Sequence, residues 1–321
     1  MIDLANLEAA TDLVRRVVPP TPQYCWPLLS RRVGTETWVK HENHSPIGAF
    51  KIRGGLVYLD DLRRSRPEIA GVITATRGNH GQSIAYAASR LGLKATIVVP
   101  HGNSVEKNRA MAAFGATLVE VGHDFQAAYE YAIAAAERDG LHLVPTFHPL
   151  LMRGVATYAL ELFRAVAALD TVYVPIGQGS GICGMIAARE ALGLKTEIVG
   201  VVAENAPSYA LSFAAGKPVS TNSADTLADG LACRVPDPAA LAIILKSAAR
   251  IVTVSEAEIR QAMRALFADT HNVAEGAGAA ALAAALKERD RRSGKRIAVV
   301  QSGGNIDRAL FAEVLAESDA E

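Results

Sequence analysis

The chain has 321 residues, half of them hydrophobic, with 33 basic and 33 acidic side chains and a formal net charge of zero. That length suffices for one large domain or two ordinary ones with a sizeable core, and the charge balance gives no electrostatic case for nucleic acid or an anionic membrane as a partner. Cys25, Cys183 and Cys233 are scattered without metal-ligand spacing, which points to a reducing compartment and no disulfide framework. Asp3, Glu8 and Asp12 argue against a signal peptide, and no apolar run is long enough to predict a membrane span. The expectation is a soluble, cytoplasmic globular protein.

Residues 3–16 place Leu4, Leu7, Leu13 and Val14 near one face and predict an amphipathic helix, closed by Pro19, Pro20 and Pro22. A short strand over 35–41 precedes a Pro/Gly turn, and the turn leads into a helix whose first turn carries Lys51. From residue 71 strands and helices alternate: strands over 71–75, 95–99, 116–121 and 141–144, helices over 79–92, 105–114 and 124–138. A long helix over 150–168 follows, then a strand over 171–176, a glycine-rich turn, a helix to about residue 192 and a strand over 197–203. Residues 205–250 are irregular apart from an apolar helix near 239–249. The pattern closes with a strand over 251–254, helices over 255–268 and 276–288, a strand over 296–300 and a helix over 306–317. Alternation of this kind predicts an α/β fold with two parallel-sheet systems covered on both faces. It assigns 65–148 to a small domain, and 1–64 with 149–321 to a large one. Ligands in such folds bind beyond the carboxyl ends of strands, so the chemistry is expected on the turns that follow them.

Lys51 lies between Phe50 and Ile52. Desolvation lowers an ammonium's pKa, and a neutral amine can form a Schiff base with an aldehyde cofactor. The bland alternative is a surface lysine with its stem on Phe50. The turn Thr76-Arg-Gly-Asn-His-Gly81 offers helix-start N–H groups to a carboxylate and the amide of Asn79, although an ordinary Asn cap reads the same way. Gly177-Gln-Gly-Ser-Gly-Ile-Cys-Gly184 can close its backbone around a phosphate. Within it, Gly179, Gly181 and Gly184 also match the dinucleotide fingerprint, with Glu204 about 20 residues on. A nicotinamide-dependent oxidoreductase is therefore the alternative from another class. Gln301-Ser-Gly-Gly-Asn305 sets Ser302 at a strand end, where it can donate to or accept from a ring nitrogen. A dinucleotide leaves Lys51, the Gly-Asn-His turn and the Ser-Gly-Gly-Asn turn unexplained, whereas a phosphorylated aromatic aldehyde accounts for all four features.

These motifs, taken in order as AFKIRGG, RGNHGQS, GQGSG, TLADG at 226–230, AEGAGA at 274–279 and SGGN at 302–305, resemble the fold-type II pyridoxal-phosphate enzymes. Within these, the threonine/serine dehydratase and serine racemase branch is the match, over nearly the whole chain. The resemblance implies a tryptophan synthase β-like fold of two α/β domains with the active site between them, and pyridoxal 5′-phosphate as cofactor. It implies Lys51 as the Schiff-base lysine, Phe50 beside the ring, Asn79 on the ring 3-hydroxyl, and Gly177, Gln178, Gly179, Ser180 and Gly181 around the phosphate. Ser302 would face the pyridine nitrogen, and the backbone of Thr76, Arg77, Gly78, Asn79 and His80 would hold the substrate carboxylate.

The chain departs from the branch at several positions. Ala49 stands where serine is frequent, Gln178 and Ser180 interrupt the glycine loop, and Glu275-Gly276 replaces Glu-Pro. Arg77 occupies the place of the serine that reprotonates Cα in the racemase. Arginine stays protonated, which argues against racemisation and leaves Arg77 for a charged substrate group or a protein carboxylate. Glu204 fits one ligand of the branch's cation site, but Ala210 stands where a further acid would align, so dependence on a divalent cation is left open. The chain ends soon after SGGN, and the expectation is that no C-terminal regulatory domain follows. The implied activity is β-elimination from a β-hydroxy amino acid to a 2-keto acid and ammonia, with L-threonine or L-serine leading. Dehydration of 3-phenylserine, threo-3-hydroxyaspartate or a hydroxyectoine-derived amino acid is the alternative, and a non-catalytic, cofactor-storing or regulatory homologue is a further one. Relatives in the branch are commonly dimers or tetramers, so a homo-oligomer is expected.

Overall fold

Strands such as Ile198–Ala203 are apolar at every position, and a strand of that kind is stable only with both faces covered. The computed structural model, which describes residues 2–291 and 294–318, resolves this need with two sheets wrapped in helices. The strands are β1 (Gln23–Cys25), β2 (Glu36–His41), β3 (Gly71–Ala75), β4 (Lys94–Val99), β5 (Thr117–Glu120), β6 (His142–Leu143), β7 (Thr171–Pro175), β8 (Glu197–Ala203), β9 (Arg250–Val254) and β10 (Arg296–Gln301). One sheet runs β1-β2-β10-β7-β8-β9 and the other β5-β4-β3-β6. All pairings are parallel except β1 on β2, which is antiparallel with Tyr24 opposite Val39. In the larger sheet Ala298 pairs with Trp38 on one side and Val172 on the other.

The elements follow the hydrophobic periodicity, with differences where local chemistry competes. The Pro-rich stretch after the first helix (Leu4–Arg15) conceals β1 and a short helix, Pro27–Val33, that Pro27 starts and Gly34 ends. Residues 205–250 contain the expected apolar helix, at Pro238–Ser247, and also a helix Ser208–Ala215 and a 3-10 turn at Asp229–Leu231 that periodicity did not mark. The helix Gly276–Lys287 is buried along Ala279–Ala285 and packs with Tyr173, Val199 and Val299. Its alanines let the backbone lie close to the sheet. No helix among the described residues is long and apolar enough to cross a membrane.

The chain leaves the larger sheet after β2, builds the smaller sheet, and returns through the helix Pro149–Ala165. That return helix crosses the helix Lys51–Ser65 at Gly154, where an added Cβ would lie 2.2 Å from the Arg53 carbonyl oxygen. The close crossing fixes the start of the Lys51 helix. A buried ion cluster locks the same junction. Arg53 is fully buried and donates to both oxygens of Glu42 (2.8 and 3.1 Å) and of Glu161 (2.8 and 2.9 Å). Lys40 donates to Glu161 at 2.7 Å and to the Thr21 carbonyl at 2.8 Å. Two cations thus balance two carboxylates, and the cluster joins β2, the Lys51 helix and the return helix.

Removing one member leaves a buried carboxylate uncompensated. Arg53→Met is expected to cost about 3–5 kcal/mol of unfolding free energy, measured by urea titration. A loss below about 1 kcal/mol would show that the cluster does not hold the junction.

Candidate active site

The turns after β3, β7 and β10 and the start of the Lys51 helix meet at one cleft between the two sheets, enclosing about 860 Å³ with its mouth included. Every residue expected to bind cofactor or substrate lines it, and Glu204 does not. Lys51 is brought there by a short backbone zipper. Ala49 bridges Gly303 in antiparallel fashion, the Phe50 N–H donates to the Ser302 carbonyl at 3.0 Å, and the Gly304 N–H donates to the Gly48 carbonyl at 2.9 Å. The loop is thereby held against the Ser-Gly-Gly-Asn turn until Lys51 opens its helix. The Lys51 Nζ lies 5.2 Å from the Phe50 ring centroid and donates to Ser180 Oγ at 3.1 Å. Burial lowers its pKa from 10.5 to about 8. His80, buried in the same wall, is held neutral: burial first, and the Lys51 charge second, push its pKa down to about 3.

The glycine turn leads into the helix Ser180–Ala191, whose start faces the cleft. Gly177 must be glycine, because a Cβ there would lie 2.1 Å from the Gly230 carbonyl oxygen. Tyr158 donates to the Gly181 carbonyl at 3.1 Å and Tyr209 to the Gln178 carbonyl at 3.2 Å. Tying back these carbonyls leaves the helix-start N–H groups, which have no intrahelical acceptor, as a cradle for a dianion. In the Thr76–Gly81 turn, Thr76 Oγ accepts from the N–H groups of Gly78 (2.9 Å) and Gly81 (3.2 Å). The N–H groups of Asn79 and His80, the first two of the helix Asn79–Arg90, lack an intrahelical acceptor. The Asn79 amide is oriented from both ends: its oxygen accepts from Asn305 at 2.8 Å and its nitrogen donates to Glu275 at 2.6 Å. That leaves its second N–H available. Ser302 Oγ donates to the Ala277 carbonyl at 3.3 Å and can accept from a ring nitrogen.

Sequence reasoning missed one part of the site. Lys107, on the helix Val105–Ala113, donates to Asp229 at 2.6 Å and to Glu275 at 3.1 Å. Burial alone would lower the Lys107 pKa, but the two carboxylates raise it above its ordinary value. The acids sit in the TLADG and AEGAGA motifs, so half of the signal was present. Glu204 is exposed at the end of β8, its N–H donating to the Val254 carbonyl, and it does not line the cleft. No group of three His, Cys, Asp or Glu side chains among the described residues is placed to hold a metal ion.

The family model described as "Pyridoxal-phosphate dependent enzyme" matches residues 14–303. The chain belongs to this pyridoxal-phosphate dependent family. It is 35% identical to a protein named L-threonine ammonia-lyase from Thermotoga maritima, over 98% of this chain and 78% of the relative. It is 32% identical to an L-threo-3-hydroxyaspartate ammonia-lyase of Saccharomyces cerevisiae, over 95% and 94%. The processed form of threonine deaminase isoform 2 from Solanum lycopersicum superposes with a TM-score of 0.88 at 30% identity, covering 98% of this chain and 94% of that one. The fold is therefore that of the fold-type II pyridoxal-phosphate enzymes, and the cofactor is pyridoxal 5′-phosphate. The nicotinamide alternative falls to the family match. The cleft fits the cofactor on its own evidence, with a desolvated amine, a glycine turn packed too closely on Gly230 to carry a Cβ at Gly177, and a preset amide.

Gly177→Ala tests the cradle. Overpacking costs about 1–3 kcal/mol, or roughly tenfold to a hundredfold in affinity. The apoprotein should bind pyridoxal phosphate weaker by that factor, read from visible absorbance during titration. Unchanged affinity would place the phosphate elsewhere.

Proposed function

We propose that this chain is an ammonia-lyase that dehydrates a β-hydroxy amino acid, with L-threonine or L-serine as leading substrates, to give a 2-keto acid and ammonia. The observation that carries the reading is the Lys51 amine, set into the cleft wall with its pKa lowered to about 8 and facing the glycine turn. The curated relatives named threonine ammonia-lyase support the same reaction. Pyridoxal phosphate, when bound, supplies the aldehyde that captures amino groups and the ring that stores the electron pair released at Cα.

The chain's own residues would do the rest. Lys51 would engage the cofactor aldehyde and, once displaced by the substrate amine, hold the proton taken from Cα. Gly177, Gln178, Gly179, Ser180 and Gly181 would bind the phosphate through N–H groups and the Ser180 hydroxyl. Ser180 also contacts Lys51, so it would link the phosphate to the amine and offer a path for the proton that the leaving hydroxyl needs. Asn79 would donate its second N–H to the ring hydroxyl, Phe50 would flank the ring and Ser302 would meet the ring nitrogen. The N–H groups of the turn Thr76, Arg77, Gly78, Asn79 and His80 would receive the substrate's α-carboxylate. A serine rather than a carboxylate at the ring nitrogen leaves that nitrogen mostly neutral, which suits elimination better than a long-lived carbanion.

We further propose residues 65–148 as a small domain beside a large one formed by 1–64 and 149–321, in a cytoplasmic homodimer or homotetramer. Assay of keto acid from L-threonine, L-serine, 3-phenylserine and a hydroxyectoine-derived amino acid, with and without a chelator, sorts the substrates and the divalent-cation dependence.

Lys51→Ala is expected to abolish both keto-acid formation and the visible absorbance of the holoenzyme. Full activity in that variant would overturn the reading. The pKa of Lys51 carries a second prediction. Burial lowers it from 10.5 to about 8, so the neutral amine grows in as pH rises through about 8. Reloading of the apoprotein with pyridoxal phosphate should accelerate through that window and level off above it, followed by stopped-flow absorbance. A flat profile between about pH 6 and pH 10 would contradict it.

A further inference from the structure

Among the described residues, Arg77 is a cleft cation that the protein leaves unpaired. Lys107 is held by Asp229 and Glu275, and Lys51 donates to Ser180. The Arg77 Nε is buried without a hydrogen-bond partner, and no described carboxylate pairs with the guanidinium. A guanidinium carries five N–H donors in a fixed fork and keeps its charge. Buried donors left unmade cost free energy, and the fork matches a carboxylate in bidentate fashion. The arrangement is that of a site awaiting an anion.

Position narrows which anion. Arg77 lines the cleft with Lys51 and Ser180, and also an outer groove continuous with it, which shares Phe125, Gln178 and Ala232. The groove's other arginine, Arg234, is already paired with Asp124 at 2.8 Å, and Asp225 lies on the same wall without bonding Arg77. The cofactor phosphate has the N–H groups of the glycine turn. The substrate α-carboxylate has those of Asn79 and His80. What remains for the Arg77 side chain is the group that the substrate carries at Cβ.

We propose that Arg77 is a specificity residue for an anionic β-substituent, so that the site takes β-hydroxy amino acids with a second carboxylate. The proposal rests on the dehydratase reading, and its chemistry needs no added reactant. Water leaves as the Cα–H and Cβ–O bonds break, and water returns on hydrolysis of the resulting imine. The net products are ammonia and a 2-keto dicarboxylic acid.

The test compares holoenzyme of the wild type, Arg77→Ala and Arg77→Lys on threo-3-hydroxyaspartate and L-threonine. Binding of L-aspartate and L-2-aminobutyrate, which lack the leaving hydroxyl, is followed in parallel by visible absorbance. In Arg77→Ala, the ratio of kcat/KM for hydroxyaspartate to that for threonine should fall at least about 30-fold, chiefly through KM. The affinity ratio of aspartate to aminobutyrate should fall with it. Arg77→Lys should recover part of both, a point charge replacing a fork. An unchanged ratio, whether both substrates suffer equally or neither does, overturns the proposal and assigns Arg77 to the α-carboxylate or to the turn. If neither substrate yields keto acid, the dehydratase reading fails, while the aspartate and aminobutyrate titrations still decide the role of Arg77.

Discussion

The structure depends on removing one ammonium from water without giving it a carboxylate. Lys51 is enclosed by Phe50 and the wall of the cleft, and among the described residues its amine hydrogen-bonds to the hydroxyl of Ser180 alone. Burial therefore acts on its pKa unopposed. Lys107, in the same cleft, is buried too but faces Asp229 and Glu275, and it is driven the opposite way. Two lysines of one site are thus separated into a reactive amine and a permanent cation by their neighbours alone. That separation of like groups by environment is how a site assigns acid and base roles.

Holding an amine in so unfavourable a place requires a scaffold that cannot relax around it. The zipper of Gly48–Phe50 onto Ser302–Gly304 fixes the approach to Lys51. The crossing at Gly154 fixes the helix that follows, and Arg53, one turn or less beyond Lys51, is pinned by Glu42, Glu161 and Thr157. Replacing the ion cluster by apolar residues could be as stable. The cluster instead supplies direction, since its hydrogen bonds are satisfied at one helix position only.

Much of this was legible locally. The strand-to-helix turns announced themselves through glycine, and Lys51 through its apolar neighbours, because each signal lies within about ten residues of sequence. The rest is a matter of distance along the chain. Lys107 is 122 residues from Asp229 and 168 from Glu275, and no periodicity within its own helix marks it as anything but a surface lysine. Between Pro22 and Gly34, proline chemistry masked an edge strand of three residues and a helix of seven. Glu204 illustrates the converse failure. Spacing from the glycine turn selected it, but the end of β8 leaves it exposed and outside the cleft.

The electrostatics of the cleft follow from how these pieces converge. Lys107 is offset by Asp229 and Glu275, so the side chains that remain are Lys51 and Arg77. The helices Asn79–Arg90 and Ser180–Ala191 both begin at the cleft, and each start carries roughly half a positive charge. Two helix starts and the Arg77 side chain therefore give three positive regions around the Lys51 amine, and among the described residues no carboxylate pairs with Arg77. On the proposed reading, a phosphate would answer one and an α-carboxylate the second. The third, at Arg77 of the same turn, also lines the outer groove, so on that reading it would act on the part of the substrate that differs from one β-hydroxy amino acid to the next. Specificity within the reaction class would then rest on a side chain of the same turn whose backbone N–H groups serve the reaction.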